Sequence, residues 1–143
     1  MSEIQPSSPA SYAPKGFRSV TSYFTVEDAK AFLVFVQGVF QGEVLHQAEV
    51  SSGRIQHAEV RIGDSIIEVS DAHDAYPARR NTLHVFVPDA DACYERALAA
   101  GAVSVYEPAD MPYGERSAGI EDAFGNHWYI ATFTGGEGKG YYS

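Results

Sequence analysis

The chain has 143 residues, 45% of them hydrophobic, and a single cysteine, which fits one domain with a sizeable core and no internal disulfide. Acidic residues outnumber basic residues by 19 to 10, so the net charge of −9 disfavours nucleic acid and anionic membrane surfaces as partners. No apolar run of about 18 residues is present to span a membrane. The N-terminus also lacks the basic start and apolar stretch of a secretory signal, so we expect a cytoplasmic protein.

The two ends of the chain differ from its middle in composition. Residues 1–16 are rich in Ser and Pro without periodicity, which predicts a flexible N-terminal arm. Residues 135–143 (GGEGKGYYS) predict a flexible tail for the same reason. The folded domain is therefore expected over residues 17–134.

The first half of this domain reads as one strand, one helix and three further strands. The alternation of apolar residues predicts strands, and apolar residues three and four apart predict a helix with its N-cap at Glu27 or Asp28 and its end at Gly42. A two-residue turn at Gly63-Asp64 places Glu59 opposite Glu68. The predicted elements are a strand over 20–26, a helix to about residue 40, a strand over 43–47 and a hairpin over 55–70.

After a polar connector (residues 71–81), the same plan begins again. The last strand alternates, with Trp128 and Ile130 on one face and His127 and Tyr129 on the other. Before it, Gly125 and Asn126 are the residue types that tolerate a positive φ, so a tight turn is expected there. The predicted elements are a strand over 82–87, a helix to residue 100, a strand over 103–106, a long loop over 107–115 and a hairpin over 117–133.

The two halves are related by an offset of 61 residues. The pattern V-x-D-A occurs at residues 26–29 and again at residues 87–90, each time where a strand leads into a helix. Glu68 and Tyr129, in the last strand of each half, show the same offset. The sequence therefore predicts two βαβββ modules, over about residues 19–70 and 82–133.

The repeat, together with the closing motif D-A-F-G-N-H-W-Y-I-A-T at residues 122–132, resembles the vicinal oxygen chelate superfamily. This group includes glyoxalase I, extradiol dioxygenases and bleomycin-resistance proteins. The segment P-Y-G-E-R-S-A-G at residues 112–119 is most similar to its PhnB-like or glyoxalase-like branch. The resemblance implies an α+β fold in which two βαβββ modules form curled mixed sheets around a cavity.

In metal-dependent members of that superfamily, the first and last strands of each module carry the metal ligands. The resemblance places these ligands at Thr21 and Glu68 in the first module and at Thr82 and Tyr129 in the second. Only Glu68 is a good ligand for a divalent ion, because neutral hydroxyl groups bind such ions poorly. We therefore expect neither a metal at these positions nor another cofactor.

The leading hypothesis is a metal-free, small-molecule-binding protein that forms a homodimer. Two apolar residues of the first helix, Val34 and Phe35, lie at or beyond the edge of its core-facing stripe. They are either ordinary exposed hydrophobic residues or are covered by a subunit interface or by the docked N-terminal arm. The predicted ligand pocket is lined by Thr21, Tyr23, His57, Glu59, Glu68, Thr82, His84 and Tyr129.

Two enzymatic alternatives remain open, and no catalytic residue is assigned. A metal-dependent lyase, isomerase or dioxygenase would use His57, His84 and Glu68 as ligands. Metal-free acid–base catalysis would use Glu68 with His84. Arg116 is expected to brace a loop on a nearby carboxylate, and Cys93 to be inert packing in the second helix.

Overall fold

A computed structural model of the protein describes residues 11–135, and these residues form the two predicted βαβββ modules. The first module contains β1 (Tyr23–Val26), α1 (Ala29–Phe40), β2 (Glu43–Glu49), β3 (Ile55–Ile62) and β4 (Ser65–Asp71). The second contains β5 (Thr82–Phe86), α2 (Ala90–Ala99), β6 (Val103–Met111), β7 (Glu115–Glu121) and β8 (His127–Phe133). In the described part of the chain, neither helix has the length and apolar character needed to cross a membrane.

Each module forms a four-stranded mixed sheet with the same topology. The strand orders are β1-β4-β3-β2 and β5-β8-β7-β6, and in each sheet the first strand runs parallel to the last while the other pairs are antiparallel. The β3–β4 hairpin has the predicted register, with Ile62 opposite Ser65 and Glu59 opposite Glu68. The predicted α+β fold is therefore confirmed.

The start of the first module differs from the prediction. β1 begins at Tyr23, and Val20, which the alternation assigned to the core, is 88% exposed. β4 itself begins at Ser65, but its parallel pairing with β1 starts only at Tyr23 and Glu68. Beyond a last hydrogen bond from Glu68 N to the carbonyl oxygen of Ser22 (3.0 Å), the chain before Tyr23 is not part of the sheet. Of the predicted arm, residues 1–10 lie outside the described residues, as do residues 136–143 of the predicted tail.

The predicted long loop over residues 107–115 is wrong, because β6 continues to Met111. The longer strand includes Pro108, which has no backbone N–H to donate. The strand tolerates this proline because β6 is an edge strand and its pairing with β7 shifts register between Tyr106 and Ala109. Only a short turn is left between β6 and β7, around Gly114 with its φ of 94°.

Both helices begin in the same way, as the repeat predicts. The carboxylates of Asp28 and Asp89 accept a hydrogen bond from the backbone N–H three residues later, at 3.0 and 3.1 Å. The first helical N–H in each case is bound by a side chain of the module's last strand. These bonds join Ala29 N to Asp71 Oδ1 (2.7 Å) and Ala90 N to Thr132 Oγ1 (2.9 Å).

The end of α1 differs in detail from the expectation that Gly42 terminates it. The residue with left-handed backbone is Gln41 (φ 57°), and Gly42 is required for a different reason. A Cβ atom on Gly42 would lie 2.9 Å from Val60 Cγ1, so only glycine allows this close approach to β3.

The core between the two modules is built on Trp128. Its ring stacks on Phe24 of β1 with centroids 5.6 Å apart and packs against Phe40 of α1 at 4.5 Å. All three side chains are at most 5% exposed. On α1, Phe35 is also buried, so of the two residues predicted to form surplus apolar surface only Val34 is exposed.

The two helices are joined by a polar contact at the C-terminal end of α1. The carbonyl oxygen of Val39 accepts hydrogen bonds from Arg96 Nε and Nη2, at 3.1 and 2.9 Å, and from Cys93 Sγ at 3.4 Å. This satisfies a carbonyl that has no partner within its own helix. Burial raises the pKa of the Cys93 thiol to about 11, which agrees with the expectation that this residue is inert packing.

The turn before β8 is organised by the buried carboxylate of Asp122. Its Oδ1 accepts from the backbone N–H groups of Phe124 and Asn126, both at 2.9 Å, and its Oδ2 accepts from Asn126 Nδ2 (3.0 Å) and Trp128 Nε1 (2.9 Å). Gly125 has the expected positive φ of 86°, but Asn126 does not. Asn126 is needed instead for its side chain, whose Oδ1 also accepts from Asn81 N at 2.8 Å.

The Asp122→Ala substitution is expected to lower the free energy of unfolding by about 3 kcal/mol, because it leaves several buried donors without an acceptor. Urea denaturation followed by circular dichroism would measure this loss. Asp64→Ala, which removes an exposed carboxylate at the β3–β4 turn, should change stability by less than about 0.5 kcal/mol. Equal effects of the two substitutions would contradict the role assigned to Asp122.

Candidate functional site

A large cavity lies on the second sheet, on the face opposite α2. Its volume is about 670 Å³, which is within the range of small-molecule sites. Three tyrosines and a methionine make most of its wall aromatic or apolar, and a few polar groups point into it. The lining residues are His84, Tyr106, Glu107, Ala109, Met111, Tyr113, Glu115 and Tyr129.

The floor of this cavity is set by the register of four neighbouring strands. His84 of β5 lies opposite Tyr129 of β8, which lies opposite Gly119 of β7. Tyr106 of β6 covers Gly119, and a Cβ atom at that position would lie 2.6 Å from the Tyr106 ring. The absence of a side chain at Gly119 thus allows Tyr106 to approach Tyr129, with ring centroids 6.2 Å apart and an angle of 28° between the rings.

One hydrogen bond and one close histidine–carboxylate contact hold polar groups of the cavity in place. The hydroxyl of Tyr106 and the buried hydroxyl of Ser117 are 2.6 Å apart. Glu115, which is only 2% exposed, has its Oε2 atom 3.2 Å from Nε2 of His84. His84 also packs against Phe86, with ring centroids 4.6 Å apart. The cavity therefore presents a histidine–carboxylate pair beside aromatic surface.

Sequence reasoning found His84 and Tyr129 but missed Glu115 and Tyr106 as cavity residues. The reason is the early end assigned to β6, which placed Glu115 at the end of a loop. The signal that could have identified it is strand parity. Glu115, Ser117 and Gly119 alternate along β7 and therefore share the face on which Tyr129 lies.

A second group of polar residues lies on the first sheet, on the face opposite α1. His57 Nε2 is 3.2 Å from Glu59 Oε2 and 3.2 Å from Glu68 Oε1. The three side chains are 25 to 29% exposed. Among residues 11–135, these are the His, Cys, Asp and Glu side chains that form a group of three with ligand atoms within 4.8 Å of one another.

Two further grooves flank this group. One, of about 340 Å³, lies between the carboxylates Glu59 and Glu68, Thr21 and the chain segment 12–19. The segment approaches the sheet closely, because a Cβ atom on Gly16 would lie 3.2 Å from Ile66 Cδ1. The other, of about 480 Å³, is lined by Tyr23, Thr25, Arg54, Gln56, Ser70, His73 and Tyr76.

The eight predicted pocket residues thus lie at several places rather than in one basin. His84 and Tyr129 line the large cavity, whereas Glu59, Glu68 and Thr21 line the groove beneath segment 12–19. Tyr23 lines the 480 Å³ groove, and His57 contacts both glutamates. Thr82 is exposed opposite His127 and lines none of these cavities.

Neither metal set considered from the sequence is brought together. Of the four positions implied by the resemblance, Tyr129 lines the large cavity and Glu68 lines the 340 Å³ groove of the first module. The hydroxyl groups of Thr21 and Thr82 are weak ligands for a divalent ion. These four positions therefore do not fit a metal. In the set His57, His84 and Glu68, the ring of His84 bonds Glu115 and is not part of the three-residue group.

Arg116 follows Glu115 in β7 but lies on the side of the sheet that faces α2, where carboxylates of the protein hold it. It makes a two-point contact with Asp91 of α2, at 2.9 and 3.0 Å, and its Nη1 atom is 3.5 Å from Asp110. The hydrogen bond from Arg116 lowers the pKa of Asp91, and the bond to Asp91 raises the pKa of Arg116. As expected, Arg116 is a bracing residue, and its partners are Asp91 and Asp110.

Comparison with known proteins identifies the family of the chain. A family model described as the Glyoxalase/Bleomycin resistance protein/Dioxygenase superfamily matches residues 18–130. The protein Mb0911c of Mycobacterium bovis is 28% identical over 123 residues, covering 78% of this chain and 81% of that protein. Rv0887c of Mycobacterium tuberculosis is also 28% identical, with 78% and 72% covered.

Solved structures with the same fold include the following two. TioX from Micromonospora sp. ML1 is 24% identical with a TM-score of 0.67, covering 79% of this chain and 94% of that one. The fosfomycin resistance protein FosX from Mesorhizobium loti is 22% identical with a TM-score of 0.62, covering 82% and 93%. At these identities, the likeness shows the fold alone.

The Gly119→Ala substitution is expected to displace Tyr106 and reshape the large cavity while leaving the fold intact, because the added methyl group meets the tyrosine ring. A crystal structure of the variant, or the change in tyrosine near-UV circular dichroism, would detect the displacement. Gly38→Ala on α1, where a Cβ atom meets nothing within 4 Å, is the matched control. An unchanged Tyr106 ring in Gly119→Ala would contradict this account of the cavity.

Proposed function

The chain belongs to the glyoxalase/bleomycin resistance protein/dioxygenase superfamily, and within it we propose that the chain is a small-molecule-binding protein. The proposed site is the 670 Å³ cavity of the second module. Binding there does not use the superfamily's four-position metal site, because only Glu68 among those positions carries a strong ligand. The single observation that carries the proposal is an aromatic cavity of ligand size with a few fixed polar groups.

The composition of the cavity indicates the chemistry of the ligand. Tyr106, Tyr113 and Tyr129 offer flat apolar surface that suits a ring or a conjugated system. Glu115 and Glu107 place acidic groups at the wall, and the chain as a whole carries a net charge of −9. A neutral or cationic organic molecule with an aromatic part therefore fits better than an anion. Bleomycin, a basic glycopeptide, is a reasonable first probe of this class.

Acid–base catalysis in the same cavity is a second candidate, and one observation favours it. His84 Nε2 and Glu115 Oε2 are 3.2 Å apart, so the carboxylate can orient the imidazole for proton transfer. This pair replaces the predicted combination of Glu68 with His84, which the fold keeps in separate cavities. A bound molecule whose mass changes on incubation with the protein, but not with the His84→Gln variant, would favour catalysis over simple binding.

Native mass spectrometry of protein purified from its own host is expected to reveal a bound organic molecule. Once that molecule is identified, Tyr129→Ala and Tyr106→Ala should each raise its Kd about tenfold or more in calorimetric titration, because aromatic side chains at the centre of a site carry much of the binding energy.

Tyr76→Ala, which removes a tyrosine from the 480 Å³ groove of the first module, is the matched control and should leave the Kd unchanged. Loss of binding in Tyr76→Ala with normal binding in the two cavity variants would move the site to the first module and overturn the proposal.

We also propose that the protein is a homodimer. Several large apolar side chains are exposed on the strands beside the cavity and on α1: Val34 (70%), Phe86 (54%), Val103 (68%), Val105 (45%) and Phe133 (56%). Exposed apolar surface of this kind is typical of a subunit interface when its members are contiguous.

Light scattering is expected to give twice the 15.5 kDa mass of the chain. The Val103→Glu substitution should shift the mass toward that of one chain if β6 takes part in the interface, whereas Val20→Glu, at an exposed position outside the sheets, should not. A mass near 15.5 kDa for the unmodified protein would refute the dimer.

A further inference from the structure

We propose that the first module binds a divalent cation between His57, Glu59 and Glu68. This site differs from the four positions that the family resemblance implies, since two of its three ligands lie on β3, an inner strand of the sheet. It also differs from the set of His57, His84 and Glu68, because Glu59 takes the place of His84. The inference does not depend on the function proposed for the second module.

The distances between the ligand atoms fit a cation with tetrahedral coordination. Zinc binds imidazole nitrogen and carboxylate oxygen at about 2.0 to 2.2 Å, so two ligand atoms on the same ion lie about 3.3 to 3.5 Å apart. His57 Nε2 lies 3.2 Å from an oxygen of each glutamate. One ligand atom from each of the three residues lies within 4.8 Å of the others. Small side-chain rotations are therefore sufficient to admit an ion.

The charges at this place also favour a cation. Glu59 and Glu68 are directly opposite each other on β3 and β4, where two like charges destabilise a sheet. Their side chains are only 26 and 25% exposed, so water screens this repulsion less than it would at the surface. A divalent ion between the carboxylates removes the repulsion and satisfies both. Without an ion, His57 Nε2 contacts both carboxylates, and Arg18 of the neighbouring segment lines the same groove.

The surroundings leave room for a further ligand. The 340 Å³ groove beneath segment 12–19 opens onto Glu59 and Glu68 and includes the hydroxyl of Thr21. Three protein ligands with an open fourth position are typical of zinc sites that bind water or a substrate. His46 lies opposite Glu59 on β2, with its ring centroid 6.2 Å from that of His57, and offers an additional imidazole beside the site.

The equivalent residues of the second sheet, paired side by side across its four strands, carry different chemistry. In the first sheet, the paired residues from β1 to β2 include two carboxylates. In the second sheet, the paired residues from β5 to β6 are aromatic rings and a glycine. The first set consists of Tyr23, Glu68, Glu59 and His46, and the second of His84, Tyr129, Gly119 and Tyr106. The modules have thus diverged into a face suited to a cation and a face suited to an organic molecule.

Zinc binding by the full-length chain without a polyhistidine tag tests the proposal. After treatment with a chelator and its removal, zinc is titrated by calorimetry and the bound metal is counted by elemental analysis. We expect one zinc per chain. The Glu59→Gln, Glu68→Gln and His57→Ala variants should each weaken binding about tenfold or more, because each removes a ligand.

The Glu121→Gln variant is the matched control, because it removes a carboxylate that pairs with a histidine, His127, at 2.9 Å outside any group of three. It should bind zinc as the unmodified protein does. Less than about a tenth of a zinc ion per chain, or undiminished binding in the three ligand variants, would overturn the proposal.

The change in Tm on adding zinc distinguishes a metal ligand from a histidine that only stabilises the fold. Zinc should raise the Tm of the unmodified protein and of Glu121→Gln but not of the Glu59→Gln/Glu68→Gln double variant, since a ligand stabilises only the state that binds it. The zinc-free double variant should unfold no earlier than the zinc-free parent, because the repulsion between the carboxylates is gone.

A zinc-independent loss of Tm in His57→Ala, without zinc binding by the parent, would overturn the proposal and identify a structural histidine that bridges the glutamates instead. Organic-ligand binding measured in Glu68→Gln separates this inference from the proposed function. That variant should keep the ligand of the second module, so either proposal can fail without the other.

Discussion

The contact between Trp128 and the first module is the interaction on which the rest of the structure depends. Its indole ring packs on Phe24 and Phe40, and its N–H is bound by the buried Asp122. Because Trp128 alternates with Tyr129 along β8, fixing the indole in the core also fixes the tyrosine on the opposite face. The core between the modules and the floor of the large cavity are therefore two sides of one strand.

The modules keep a common backbone plan while their open faces have separated in chemistry. The helix N-caps Asp28 and Asp89 are equivalent, and so are the side chains of Asp71 and Thr132 that bind the next N–H. These groups determine where each helix begins, and the repeat has preserved them. The residues facing away from the helices have no such constraint, so one sheet has acquired carboxylates and the other aromatic rings.

Periodicity predicted most of the fold because each face of a strand has its own composition. It failed at two strand ends: Val20 alternates correctly but lies before the residues that pair with β4, and β6 continues through Pro108, which is tolerated at a sheet edge. The site was harder to predict. Strand parity placed His84 and Tyr129 on an open face, but how two sheets are oriented is set by the packing of Trp128 and the helices. The sequence pattern therefore could not separate Glu68 from His84, nor reveal the pairing of His84 with Glu115.

The bond from Arg96 to the carbonyl of Val39 has a consequence for how the duplicated chain can evolve. The residue 61 positions before Arg96 is Phe35, which has no side-chain N–H to donate and is itself buried. The helix-to-helix contact is consequently one-directional: the second helix donates, and the first accepts. Two copies of the first half would lack the donor of this contact, so the first half can no longer replace the second, and the symmetry between the halves has been lost from the interior as well as from the surface.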